Sequence, residues 1–287
     1  MNPQKIAILT DSCADLTPEL VGNRPIFTVP LRIRCGEKDY SDGVDMTACD
    51  VYRLQEAGET LVTSLPESGA VVSAFQRMQA QGYQRAVALH LSSGLSGTFN
   101  MVRLHALGLD GLEVAAFDSL SGSVGIGSMV LQVAEDLENG MDWETLTKER
   151  IPSLIAGTHA YFSVDTLEYL LKGGRIGKVT AMAGTMLNIK PVISFAPDGQ
   201  LQSVAKVRGT KQVQGKIIEL MRAQIGSHKR YNLAVTNGGA PEAKEELKAK
   251  LAAEFPLYTS FLDADLDATL SVYIGSGVIG AAVLILD

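Results

Sequence analysis

The stretch GAVVSAFQRMQAQGYQRAVALHL, residues 69–91, contains a segment with helical periodicity followed directly by a short apolar run. Its first half, Gly69–Gln81, predicts a helix because four apolar side chains recur at the spacing of one helix face. These side chains are Val71, Val72, Phe75 and Met78. The run that follows, Arg85–Leu91, is short and apolar, which predicts a buried strand. A helix followed by a buried strand is the repeating unit of α/β folds.

The same alternation extends on both sides of this stretch. Strands are predicted at Lys5–Leu9, at Ile26–Ile33 with Pro30 inside it, and at Leu112–Phe117, and a helix at Ser128–Leu137. Strands separated by helices of this length favour βαβ units and a largely parallel sheet.

The pattern of predicted helices and strands changes near Pro152–Gly157. The pattern predicts a helix near Asp165–Leu171 that ends at Gly173-Gly174, and a hairpin around the turn Pro197-Asp198-Gly199. Further helices are predicted at Thr210–Ala223 and Pro241–Phe255. Further strands are predicted at His159–Val164, Leu233–Thr236, Thr259–Leu262, Leu270–Ile274 and Ala282–Leu286. We therefore expect two α/β lobes: residues 1–155 with a mostly parallel sheet flanked by helices, and residues 156–287 with a mixed sheet and helices.

Composition narrows the classes of function. The 287 residues carry a net charge of −7 without a block of Lys or Arg, which disfavours nucleic acid as a partner. Three cysteines without CxxC spacing argue against a disulfide framework and a structural zinc site. The apolar runs are too short to span a bilayer, and no signal peptide is evident. We expect a soluble cytoplasmic protein without a transmembrane segment.

Several segments resemble motifs of common enzymes, but their spacing or their position in the chain excludes those motifs. Gly275–Gly280 spells GxGxxG, but only seven residues follow it, so a dinucleotide-binding unit does not fit and a tight turn into the last strand is favoured. Gly173–Lys178 lacks the first Gly and the final Ser or Thr of a phosphate loop. Neither HExxH nor GxSxG occurs, which removes support for two common hydrolase types.

Three loops rich in hydroxyl side chains remain as the candidate site: Thr63–Pro66, Ser92–Thr98 and Asp118–Ser123. Two of them follow predicted strands, and loops after strand ends meet at the ligand crevice of an open α/β sheet. Hydroxyls and free N–H groups at a helix start bind anions, and none of these loops contains Lys or Arg. A small anion such as a carboxylate fits them, although Ser and Thr also serve as ordinary helix caps.

Seven segments that lie in order over nearly the whole chain match the pattern of one protein family. The first is the opening KIAILTDSCADL, residues 5–16, and the others are Thr63–Pro66, Leu91–Thr98, Phe117–Ser119, Leu167–Gly177, Leu187–Ile193 and Val207–Gly209. With these segments the chain resembles the DegV family of fatty-acid-binding proteins that serve bacterial fatty acid kinase. The opening segment is similar to the family's first strand and Asp-Ser turn.

The resemblance implies a long-chain fatty acid held between two α/β lobes, with no cofactor. It places the carboxylate on Thr63 and Ser96. Four neighbours complete the expected head-group site: Ser64, Ser93, Gly97 and Tyr273, the last standing where the family has a histidine. A separate kinase would phosphorylate the bound carboxylate, so the chain itself is expected to have no catalytic residues and no metal.

Two further sets of residues complete the expected site. A small, apolar, Met-containing segment predicts an acyl-chain tunnel lined by Met182, Ala183, Met186, Leu187 and Ile189. Ordinary core packing explains these residues equally well. For docking the kinase we expect Arg175, Lys190 and Arg208, with solvated surface charge as the alternative.

Two other functions stay open from the sequence. The chain could be an enzyme that acts on a small anionic substrate, for example a phosphorylated one, at the same loops. It could also be a scaffold without a small-molecule ligand. A long apolar tunnel favours the lipid carrier, whereas a short polar cleft favours the enzyme.

Overall fold

The structure is a computed structural model that describes residue 2 and residues 4–182, 189–209 and 211–287. Three residues expected in the tunnel, Ala183, Met186 and Leu187, lie outside the described residues, as does the side chain of Met182. Within these ranges no helix combines the length and apolar character that crossing a membrane requires.

The strands and helices alternate along most of the chain. The strands are β1 (Ile6–Asp11), β2 (Ile26–Val29), β3 (Arg32–Cys35), β4 (Lys38–Ser41), β5 (Leu61–Ser64), β6 (Arg85–His90), β7 (Glu113–Asp118), β8 (Thr158–Ser163), β9 (Ile189–Phe195), β10 (Leu201–Arg208), β11 (Tyr231–Gly238), β12 (Phe261–Asp265) and β13 (Val278–Ile285). The helices are α1 (Pro18–Val21), α2 (Ala48–Glu56), α3 (Ser68–Ala80), α4 (Thr98–Ala106), α5 (Val124–Glu138), α6 (Trp143–Thr145), α7 (Ile151–Ala156), α8 (Glu168–Lys172), α9 (Lys211–Ile225), α10 (Pro241–Glu254) and α11 (Ala268–Ile274).

The N-terminal lobe is built on a parallel sheet with the strand order β2-β1-β6-β7. In its central strands, Ile6–Leu9 and Ala86–Leu89 are continuous apolar runs because both faces of the sheet are covered. Phe75 and Met78 of α3 pack on one face, and Ile126 and Met129 of α5 pack on the other. The predicted parallel sheet is confirmed.

A small antiparallel sheet, with the order β4-β3-β5, stands beside the parallel one. The single strand predicted at Ile26–Ile33 is therefore wrong. The chain leaves the first sheet after Val29 and enters the second at Arg32, with Pro30 between them. Proline lacks the N–H that a continuous strand would donate, so the break falls there.

The C-terminal lobe is a six-stranded mixed sheet in the order β10-β9-β8-β13-β11-β12. Neighbouring strands are antiparallel except β11 and β12, which are parallel. Helices α9 and α10 cover one face, and α5 of the other lobe covers part of the opposite face. The hairpin predicted at Pro197-Asp198-Gly199 is confirmed by the antiparallel pair β9 and β10.

The strand predicted at Leu270–Ile274 is wrong, because these residues form most of helix α11. Asp267 caps the helix by accepting the Leu270 N–H at 2.8 Å. The run reads Leu-Ser-Val-Tyr-Ile, so Ser271 and Tyr273 alternate with apolar residues as in a half-buried strand. Helix α11 is buried between α2, α8 and the small sheet, so this alternation does not mark a solvent-facing side.

The boundary predicted between residues 155 and 156 falls at the last residues of α7, just before β8. Helices α5 and α11 both cross from one lobe to pack on the other. The division into two domains stays a prediction.

Candidate functional site

A cavity of about 300 Å³ lies between the two lobes. The N-terminal lobe contributes the end of β5 and the loops after β6 and before α5, and the C-terminal lobe contributes β8, β13 and α11. Most of its wall is aliphatic or aromatic, including Leu91, Leu95, Phe162, Phe195, Leu270 and Ile274. The cavity therefore suits an apolar ligand better than a small polar one.

Hydroxyl groups gather at one part of this wall. Thr63 at the end of β5 and Tyr273 on α11 are joined by a hydrogen bond of 2.5 Å between Oγ1 and Oη. Ser96 and Gly97 lie beside the start of α4, where the Ser96 hydroxyl accepts the Thr98 N–H at 3.3 Å. A helix start with neighbouring hydroxyls is a favourable place for an anion. Ser64 also lines the cavity.

The loop after β6 contains three serines, Ser92, Ser93 and Ser96, and the sequence does not indicate which of them faces the cavity. Ser92 is buried and donates to the Gly199 carbonyl at 2.8 Å. Ser93 is exposed, is not part of the described cavity wall, and uses its N–H to bond Asp118 at 3.0 Å. Of the three, Ser96 is the one that lines the cavity.

Arg175 lies at the cavity wall as well. Its guanidinium group is 4.9 Å from the centre of the Tyr273 ring, and it donates to the carbonyls of Leu95 and Gly173 at 3.3 and 2.8 Å. Arg175 thereby connects the C-terminal lobe to the loop that carries Ser96. It also brings a positive charge to the hydroxyl groups.

Lys190 and Arg208 lie apart from the described cavity wall. They stand on the neighbouring strands β9 and β10, and Lys190 pairs with Asp165 at 2.9 Å. Ile189, the one tunnel residue whose side chain is described, is half-buried and packs on a cluster that includes Leu170 and Ile193. Their docking and tunnel roles stay predictions.

Two glycine turns shape the site. Gly173 ends α8, as the sequence predicted, and a Cβ there would lie 2.2 Å from the Tyr273 ring. Gly275 has a φ of +68° and starts the predicted turn into β13. Both residues allow a close backbone approach that a larger residue would prevent.

A second groove of about 380 Å³ lies beside the cavity. Thr63, Arg175 and Tyr273 line both spaces. The rest of the groove includes Gln55, Glu59, Glu168 and Lys172, which makes it more polar than the cavity. These three shared residues therefore separate an apolar interior from an accessible outer surface.

A family model described as "Uncharacterised protein, DegV family COG1307" matches residues 5–286. The chain belongs to the DegV family. A DegV domain-containing protein of Clostridium acetobutylicum is 32% identical over 280 residues, which is 98% of this chain and 99% of the relative. The family resemblance expected from the sequence is confirmed.

Solved structures of DegV-family proteins share the fold. One, described as fatty acid binding of a DegV family protein from Thermus thermophilus, superposes with a TM-score of 0.92 at 29% identity and covers 100% of both chains. Another, DegV from Bacillus subtilis, described as a fatty acid binding protein, gives a TM-score of 0.88 at 26% identity over 99% of each chain. The predicted two-lobe α/β architecture of this DegV-family chain is confirmed.

Proposed function

We propose that this DegV-family chain binds a long-chain fatty acid in the cavity between its lobes. The observation that carries the proposal is an apolar cavity with Thr63, Ser96, Tyr273 and Arg175 together at one part of its wall. The relatives from Thermus thermophilus and Bacillus subtilis, each described as binding fatty acid, support it.

The acyl chain supplies most of the attraction. Burying about fifteen methylenes at ~0.8 kcal/mol each contributes roughly 12 kcal/mol before costs. Immobilising the ligand opposes this by several kcal/mol or more. The polar side chains at the cavity wall then need only orient the fatty acid within the cavity.

The carboxylate lies, in this proposal, between Thr63, Ser96 and the start of α4. The Thr63–Tyr273 bond joins two hydroxyls, each of which has one proton to donate. An arriving carboxylate accepts from both hydroxyls, so their direct bond opens. Arg175 offsets part of the negative charge from the side of the Tyr273 ring.

A separate kinase then phosphorylates the bound carboxylate to an acyl phosphate, and this chain presents the substrate without catalytic residues of its own. Thr63, Arg175 and Tyr273 also line the outer groove, which supports access by a partner from that side. Arg175, Lys190 and Arg208 are the proposed docking residues. We place this reaction in the cytoplasm, where the nucleotide phosphoryl donor is found.

Native mass spectrometry tests the binding function. The purified protein should carry an extra mass of a long-chain fatty acid that is lost on denaturation. A species with the mass of a small polar anion would instead support an enzyme acting on such a substrate, and bare protein that also fails to bind added oleate would contradict the proposal.

Paired substitutions test the head-group site. Thr63→Val with Ser96→Ala removes two donors to a charged group, so oleate affinity should fall at least about tenfold. The matched control is Thr259→Val with Ser260→Ala, which makes the same chemical changes at exposed positions outside the described cavity wall. Equal affinity of the two double variants by calorimetry would contradict the assignment.

A further inference from the structure

Two buried threonines interrupt the apolar wall of the cavity. Thr236 lies on β11 and Thr269 on α11, and both line the cavity. They are almost fully buried, with 4% and 2% of their surface exposed. Neither belongs to the group of Thr63, Ser96 and Tyr273 that the proposed function assigns to the carboxylate.

Neither threonine hydroxyl forms a hydrogen bond with any residue that the structure describes. A hydroxyl has one hydrogen to donate and two lone pairs that accept, and burying it without a partner destabilises a protein. Valine has nearly the same shape and would occupy either position without that cost. The cavity beside both residues is the space in which a ligand supplies the partner.

The wall beside Thr236 leaves room for a polar group. Gly280 of β13 is paired with Thr236 in the sheet and also lines the cavity. A Cβ at Gly280 would lie 3.2 Å from Thr236 Cγ2 and 3.1 Å from Phe162 Cβ, so a larger residue would fill this corner. In the structure it is therefore the methyl group of Thr236 that faces the corner.

Rotation about the Cα–Cβ bond of a threonine exchanges its methyl group with its hydroxyl, which is of similar size. Threonine occupies more than one such rotamer, including in helices. At Thr236 and Thr269 this rotation breaks no hydrogen bond with a described residue. Both hydroxyls are thus able to turn toward a polar ligand group in the cavity.

Helix α11 sets the distance between these threonines and the head-group site. Thr269 precedes Tyr273 by four residues, so the two residues share one face of the helix and lie about 6 Å apart along its axis. The proposed carboxylate position is at the Tyr273 end. A ligand group that meets Thr269 therefore belongs to the acyl chain.

We propose that Thr236 and Thr269 form a second polar subsite, which binds a hydroxyl group on the chain of a hydroxy fatty acid. A hydroxyl both donates and accepts, so one chain hydroxyl supplies the partner that either threonine lacks. A few placed polar groups in an apolar pocket are what gives such a pocket specificity. The subsite rests on the proposed function for the fatty acid and adds the class of fatty acid that the cavity prefers.

Calorimetry with stearate and a series of monohydroxystearates, each hydroxylated at a different carbon, tests the subsite. At least one hydroxystearate should bind about tenfold more tightly than stearate, because it forms a hydrogen bond that stearate lacks. Stearate binding with equal or weaker binding of every hydroxystearate would overturn the subsite and leave the proposed function intact. That result is also expected if ordered water already satisfies the two hydroxyls. Absence of binding by every ligand would contradict the proposed function and the subsite together.

Thr236→Val and Thr269→Val, singly and together, remove the hydroxyls and keep the shape of the wall. The double variant should bind stearate at least as tightly as the unsubstituted protein does, and should lose the roughly tenfold preference for the hydroxystearate. The matched control is Thr10→Val, because Thr10 Oγ1 is also buried without a described partner but Thr10 lies outside the described cavity wall. The control should keep the preference. An equal loss of affinity for both ligands in the double variant would overturn the subsite.

Thermal unfolding without ligand gives a second, independent test. Each valine variant should be at least as stable as the unsubstituted protein, since it no longer buries an unpartnered hydroxyl. A marked loss of stability in Thr236→Val and Thr269→Val would show that both hydroxyls have partners within the protein, and would overturn the inference.

Discussion

Arg175 joins three groups that are far apart in the sequence. Its guanidinium contacts the Leu95 carbonyl of one lobe and the Gly173 carbonyl and Tyr273 ring of the other. Such contacts orient the charge toward the hydroxyls at the cavity wall. A residue expected to serve docking therefore has the geometry to serve the head group as well.

Replacement of Arg175 by Ala should weaken oleate binding about tenfold, because it removes the positive charge that offsets the carboxylate, an attraction of about 4 kcal/mol at 4 Å near a protein surface before the cost of desolvation. Acyl-phosphate formation with a supplied kinase should fall with it. Lys190→Ala and Arg208→Ala are the controls, since neither residue belongs to the described cavity wall. They should leave affinity unchanged. Arg175→Ala with normal affinity but slow phosphorylation would restrict this residue to docking.

At the residue scale, the sequence identified hydroxyls near strand ends but not their directions. Thr63 and Ser96 line the cavity as expected, whereas Ser93 faces solvent. The partner of Thr63 is Tyr273, which is 210 residues away. Contacts of that range depend on how the lobes pack, and no local pattern encodes them.

At the scale of elements, the parallel strands are predictable from the sequence because both faces of their sheet are buried, which produces continuous apolar runs. The sequence does not predict the small sheet because its strands are short and partly exposed, with Lys38–Ser41 mostly polar. The sequence of α11 predicts a strand because Leu270–Ile274 alternates apolar residues with Ser271 and Tyr273 over only five positions. Asp267, three residues before Leu270, was the capping signal that could have corrected it.

Gly173→Ala tests how the end of α8 sets the position of Tyr273. A Cβ would lie 2.2 Å from the ring, so the ring must move, at a cost of about 1–3 kcal/mol in unfolding free energy. Oleate affinity should fall as well. Gly215→Ala in α9 is the control, because its Cβ meets no atom within 4 Å. That variant should gain about 0.5–1 kcal/mol. Urea unfolding of both variants measures the difference, and a neutral Gly173→Ala would show that the two elements do not contact tightly.

At the scale of the molecule, α5 connects the two lobes. Its Gln132 accepts from Asn232 of the C-terminal sheet at 2.8 Å and donates to Asp136 at 3.0 Å. Asp136 pairs in turn with Arg150 at 2.8 Å, and Arg150 donates to the Leu286 carbonyl at 2.9 Å. Since this buried chain of polar contacts crosses the interface, we expect both lobes to unfold together.

Arg150→Met should reduce the unfolding free energy by about 3–5 kcal/mol, because it leaves the buried Asp136 charge without its partner. Adding Asp136→Leu should recover much of that loss, since removing both charges ends the penalty. Arg24→Met breaks the exposed Arg24–Glu138 pair and should cost less than about 1 kcal/mol. Calorimetry should show a single transition for every variant. Two separated transitions in Arg150→Met, with only the C-terminal lobe destabilised, would mean that the lobes fold independently and that α5 does not couple them.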